Sequence, residues 1–190
     1  MRLKQWKLLL TKLNNMAKLK PAVHEGDRGT GNKNANIILV EFGDYQCPHC
    51  GHAYPLLKRL RREMADQLYF VFRNFPLQEI HPAAIMAAQA AEAAALQNKF
   101  WEMHNLIFEH QDNLHGNSFL QFAEELRMDL NEFAKDWKSK EILDKVEKDF
   151  ESGVRSGVNG TPTFFVNGEM LLSYDGSYES LVEGIRIFAV

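Results

Sequence analysis

Cys47-Pro48-His49-Cys50 holds the only two cysteines of the chain and sets them two residues apart, where an apolar run gives way to a helical pattern. The run is Ile37-Ile38-Leu39-Val40-Glu41-Phe42, which reads as a buried strand, and the apolar spacing from Ala53 to Leu68 reads as a helix. A cysteine in the first turn of that helix faces unpaired backbone N–H groups and the positive end of the helix dipole, which favour thiolate over thiol. Cys47 is therefore expected to be the exposed nucleophile. Pro48 suits the first helical position, where its missing N–H would have no partner. His49, when protonated, adds positive charge beside the sulfur, and Cys50, one turn on, is the resolving thiol.

Three other uses of the pair are weaker. A structural disulfide closing four residues staples little of a 190-residue chain. Structural zinc needs a second ligand pair, and no other cysteine exists. A c-type haem site is excluded because position 51 is Gly rather than His. Among the seven histidines, no two lie four apart, the spacing that places two ligands on one helix face. Neither a metal nor a cofactor is expected.

Upstream, the net charge of -3 gives no sign of a nucleic-acid partner, and 45% hydrophobic content is enough for a sizeable core. Residues Met1 to Lys20 are basic, but their longest apolar run, Leu8-Leu9-Leu10, is too short for a signal-peptide core or a membrane span. Without an export signal the expected location is cytoplasmic. Leu3, Trp6, Leu10 and Leu13 fall on one face of a short amphipathic helix. Met16 is an alternative start, and an upstream extension or frayed end is preferred to membrane association. Pro21 to Asn36, rich in Gly, Asn and charge, reads as a leader, so residues 1–35 are set apart from the fold.

Downstream, Leu68-Tyr69-Phe70-Val71-Phe72-Arg73-Asn74 reads as a second buried strand, giving strand, helix, strand and hence a parallel pair. From His81 to about Ser152 no strand pattern occurs. Helices are expected from His81-Pro82 to Gln97, from Phe100 to His110, and near Ser118–Leu126, Asn131–Trp137 and Ile142–Gly153. The sheet resumes at Thr163–Val166, turns at Asn167-Gly168 and pairs back through Glu169 to Leu172; a helix from Tyr178 to Phe188 closes the chain. The class is α/β, with residues 36–76 and 153–190 forming one domain interrupted by a helical insertion at 77–152.

Gly160-Thr161-Pro162-Thr163 places a proline just before the third strand, which is sterically acceptable there. Taken with Cys47-Pro48-His49-Cys50, the strand Ile37–Phe42, the helical insertion and Thr163–Gly168, it makes the chain, from about Asn36 onward, resemble the DsbA-like thiol-disulfide oxidoreductases of the thioredoxin superfamily. Lys99-Phe100-Trp101-Glu102-Met103-His104, followed by Leu106 and Phe108, is similar to the corresponding sequence of cytoplasmic and antiporter-fused relatives.

The resemblance implies a thioredoxin fold with an inserted helical subdomain, a cis Thr161-Pro162 bond facing the cysteine pair, and protein or peptide thiols as partners, with a further redox partner unidentified. It implies that backbone before Pro162 pairs with substrate as an added strand. Glu41 matches the acidic residue that relatives carry under the active site. From the residues alone, a carboxylate inside an apolar strand should have a raised pKa and be able to relay a proton at Cys50, unless it lies at a solvated strand edge. Thr161 stands where the best-known periplasmic oxidases have valine, and threonine there is shared by reductases and isomerases. Pro48-His49 favours an oxidant, so the oxidising direction is expected, with a reductase or isomerase, a kappa-transferase-like enzyme and a peptide-binding module as alternatives.

Overall fold

The computed structural model describes residues 17–188; the expectations for an amphipathic face at Leu3–Leu13 and for a start at Met16 lie outside the described residues. The sheet is five-stranded in the order β1-β3-β2-β4-β5. Its centre is β2 (Ile37–Gly43), parallel to β3 (Leu68–Asn74) and antiparallel to β4 (Thr163–Val166). Both central strands are covered on both faces, as their near-continuous apolar sequence requires. The link between them is α1 (Pro48–Met64), followed by a 3-10 turn at Ala65–Gln67. A hairpin through Asn167 and Gly168, whose φ values are 51° and 86°, joins β4 to β5 (Glu169–Met170), and two positive φ values are what a two-residue turn of this kind demands.

Between β3 and β4 lie five helices, α2 (Ala84–Leu96), α3 (Phe100–Glu109), α4 (Gly116–Glu125), α5 (Leu130–Trp137) and α6 (Lys140–Arg155), and α7 (Tyr178–Phe188) ends the described chain. The fold class is thus the expected one. One core packs Leu39, Phe70, Phe72 and Phe164 of the sheet under α1, α7 and the inserted helices. The other packs Val40, Phe42, Val71 and Phe165 against Leu19, Val158 and the flank of Phe150. No helix among the described residues is long and apolar enough to cross a membrane.

Two boundaries differ from the sequence reading. The segment taken as a leader belongs to the sheet: β1 (Arg28–Gly31) pairs antiparallel with β3, while Lys18 bridges to Glu169 and Leu19 N–H donates to Gly168 O at 2.8 Å. Residues 17–31 therefore flank both edges of the sheet. Arg-Gly-Thr-Gly carries no strand pattern, and its glycines are there for space, since a side chain at Gly29 would strike the Tyr69 ring and one at Gly31 the Leu68 carbonyl. The segment is fastened by a fully buried, bidentate pair, Arg73 Nε to Asp27 Oδ1 and Nη2 to Oδ2, both 2.8 Å. The second difference is that α6 runs through the expected boundary at 152/153. Its Gly153 lies so close to Phe75 and Phe42 of the sheet that a side chain there would not fit.

Candidate active site

Cys47 is the N-cap of α1 and Pro48 its first helical residue, so the helix starts five residues earlier than the apolar spacing alone indicates. The turn leading into it is closed by Cys47 N–H donating to Asp44 O at 3.1 Å, and the helix's first bond runs from Gly51 N–H to Cys47 O at 3.0 Å. Cys47 Sγ lies 3.3 Å from Thr161 O, at the cis Thr161-Pro162 bond. The expectation of an exposed Cys47 is corrected: the residue is only 4% exposed, covered by the turn and the 161–162 loop, whereas Pro48 and His49 beside it are exposed. Cys50 is fully buried, so Cys47 is still the sulfur nearer solvent.

The thiol of Cys47 is lowered to about 5, first by the neighbouring Cys50 side chain, against the opposing effect of burial, and further by Thr161 and the backbone N–H groups of Cys50 and His49. His49 thus contributes its backbone N–H, and its ring makes no hydrogen bond among the described residues. Cys50 goes the other way: burial, Cys47 and Glu41 push it well up. Its Sγ accepts the Asp44 N–H at 3.4 Å. Among the described residues Thr161 Oγ1 is buried with no hydrogen-bond partner, and the Thr161 side chain is one of the groups that lower the Cys47 thiol.

Glu41 sits in the middle of the central strand, opposite Phe72 on β3 and Phe164 on β4, which rules out a solvated edge. It is 1% exposed, Oε1 has no hydrogen-bond partner among the described residues, and burial followed by the charge of Cys47 raises it to about 8. Tyr174 packs edge-on against Phe164, at 4.9 Å between centroids, and its hydroxyl is also buried and without a partner among the described residues. Among the described residues no three His, Cys, Asp or Glu side chains converge as metal ligands would.

Several residues that hold this site have no motif of their own. Asp44, fully buried, accepts from Gln46 N–H (2.7 Å), Leu77 N–H (2.8 Å) and His81 Nδ1 (2.8 Å), tying the cysteine turn to the start of the insertion. Gln111, just after α3, donates to the carbonyls of Tyr45 (2.8 Å) and Cys47 (2.9 Å). Tyr45 O–H in turn meets His104 Nδ1 at 3.0 Å inside an aromatic box with Phe72 and Phe108. Burial pushes Tyr45 well up and His104 well down, so the phenol donates to a neutral imidazole. His104 and Phe108 fall in the stretch whose sequence is similar to relatives, whereas Asp44, Tyr45 and Gln111 stand in no motif.

A family model described as Thioredoxin matches residues 24–185. The chain belongs to the thioredoxin family. Within it, the chain is 40% identical over 152 residues to Na(+)/H(+) antiporter NhaA 1 of Mycolicibacterium vanbaalenii, covering 79% of the chain and 25% of that protein. It is 41% identical over 148 residues to Na(+)/H(+) antiporter NhaA 3 of Salinispora tropica, covering 78% and 22%. The chain thus spans about a quarter of the length of these curated relatives. Among solved structures, BdbD from Bacillus subtilis superposes with a TM-score of 0.79 at 22% identity, covering 93% of this chain and 99% of that one. The catalytic domain of Proteus mirabilis ScsC gives 0.73 at 20%, covering 98% and 97%, and the thiol-disulfide exchange protein alpha-DsbA2 from Wolbachia pipientis gives 0.71 at 19%, covering 97% and 94%. The fold is therefore the thioredoxin fold in its DsbA-like form, with the helical insertion included.

Proposed function

We propose that this thioredoxin-family chain exchanges a Cys47–Cys50 disulfide with the thiols of polypeptide substrates, in the oxidising direction. The observation that carries the reading is the asymmetry of the pair: Cys47 at the helix N-terminus with a thiol lowered to about 5, and Cys50 fully buried and pushed up. A pair of that kind has one good leaving group and one sulfur that resists ionisation.

In the oxidised form a substrate thiolate attacks Cys47 Sγ, the Cys47–Cys50 bond breaks, and Cys50 leaves as a thiolate that takes up a proton. Glu41, raised to about 8, is protonated at neutral pH and is the acid nearest in kind to that need. A second substrate thiolate then attacks the substrate sulfur of the mixed disulfide. A substrate disulfide forms, and Cys47 leaves as the stabilised thiolate. Two electrons pass from the substrate to the pair. Thr161 O, beside Cys47, is the backbone edge on which substrate would lie as an added strand.

Equilibration in glutathione buffers tests direction. A potential near about -120 mV supports an oxidant, and one near about -270 mV, the thioredoxin end, makes the chain a reductase.

A further inference from the structure

An apolar cavity of about 700 Å³ opens between the segment after β3, α2 and α6. Leu77, Ile80, Ile85, Leu143, Val146 and Phe150 supply its greasy wall, and Ile80 is 69% exposed, an unusual place for a large aliphatic side chain. Its charged lining residues are all acidic. Glu79, Glu147 and Glu151 stand exposed around it, and none makes an ion pair among the described residues. One wall is fixed to the cysteine turn, because Asp44 accepts from Leu77 N–H at 2.8 Å and donates its own N–H to Cys50 Sγ at 3.4 Å.

We propose that this groove binds a cationic, apolar stretch of the polypeptide whose cysteine is exchanged at Cys47; the proposal rests on the exchange reading above and names the substrate class. An apolar floor with carboxylates alone at its edge favours a segment that alternates aliphatic side chains with Lys or Arg. Such a segment buries its apolar groups while its cations meet the free carboxylates, and an anionic segment of equal hydropathy meets repulsion in the same place. Two or three exposed ion pairs amount to a preference of about tenfold.

The test uses two synthetic peptides of equal length around a single cysteine, one flanked by Lys and Leu and the other by Glu and Leu, together with fluorescent Cys→Ser forms of both. The full chain should bind the cationic Cys→Ser peptide about tenfold more tightly than the anionic one, and KM for exchange should show the same ratio. In the double variant E147K/E151K the preference should vanish or invert, and Ile80→Ser should weaken the cationic peptide, while reaction with dithiothreitol stays unchanged in both. Equal binding of the two peptides, or a preference that survives E147K/E151K, overturns the proposal. So does a tenfold gain in peptide affinity on deleting residues 1–16, which carry four cations and no acid, because the groove would then be serving the chain's own N-terminal segment. Concentration-dependent dimerisation abolished by Ile80→Ser would likewise overturn it in favour of a second copy. Failure to react with dithiothreitol overturns the exchange reading, and binding of the cysteine-free peptides keeps the two failures apart.

Discussion

Gln111 Nε2 donates to the carbonyl oxygen of Cys47 at 2.9 Å, and to that of Tyr45 at 2.8 Å, so one side chain from the insertion holds the turn that carries the nucleophile. The approach needs a glycine opposite, since a methyl group at Gly51 would strike Gln111 Oε1. Gln111→Ala should cost about 1–2 kcal/mol, the worth of two partly buried hydrogen bonds. Gly51→Ala should act by displacing the same side chain. Urea melts of both single variants and the double should then be non-additive, with the double close to the worse single; simple addition would show that Gly51 and Gln111 act independently.

Cys47, at about 5, should appear as a thiolate absorbance near 240 nm that titrates with that midpoint and is lost in Cys47→Ser. The sign for stability follows from the depressed value. The unfolded thiol ionises near 8.5, so the reduced fold gains stability that is fully present above that pH and lost as pH falls through about 5. Against it, the disulfide closes a four-residue loop and stabilises the oxidised fold by roughly 2 kcal/mol in the chain-entropy model. Reduced protein should therefore outlast oxidised protein at pH 7 by a small margin, under about 1 kcal/mol, with the order reversed at pH 4. Oxidised protein that is more stable at both pH values would contradict a strongly acidified Cys47.

Asp44 offers a sharper loss. Its carboxylate accepts from two backbone N–H groups, of Gln46 and Leu77, and from His81. Asp44→Ala leaves these donors without an acceptor in a covered site and should cost about 2–4 kcal/mol, while Asp44→Asn, keeping one acceptor oxygen, should fall between. Because the same residue's N–H meets Cys50 Sγ, the alanine variant should also slow exchange. Wild-type melting of Asp44→Ala would remove the residue from the structural account.

The central strands, the helical insertion and the cysteine pair were legible because each is written locally. Leu68–Asn74 is a continuous apolar run, the insertion repeats apolar residues at helical spacing, and Cys47-Pro48-His49-Cys50 is a contiguous motif. What escaped was written in tertiary contacts. β1 has two glycines in four residues and exists because the outer edge of β3 accepts it. Asp27 reads as one more charge in a polar leader, yet Arg73, forty-six residues on, turns it into half of a buried pair. Gln111 reads as one surface amide among several, and only the packing of α3 against the cysteine turn gives it a task. The burial of Cys47 was missed for a related reason, because its cover comes from the loop at 161–162, more than a hundred residues away.

Glu41 gives the pH dependence of the opposite sign. Its folded value is raised from 4.5 to about 8 by burial first and by the Cys47 charge second. An unfolded chain releases this proton near 4.5 while the fold holds it to about 8, so across that window the native state binds the extra proton and stability falls as pH rises. Glu41→Gln removes the dependence. The variant should melt close to wild type at pH 4 and be the more stable form at pH 9, by on the order of 4 kcal/mol for a group so thoroughly buried. Oxidation removes the Cys47 thiolate, so Glu41 should titrate lower in the disulfide form than in the reduced form. Exchange supplies the functional readout: the variant cannot hand a proton to, or take one from, Cys50, so formation and resolution of the mixed disulfide should slow while the Cys47 titration is kept. Identical melting curves for wild type and Glu41→Gln from pH 4 to 9 would mean the carboxylate has access to water, and unchanged exchange across the same range would take Glu41 out of the proton path.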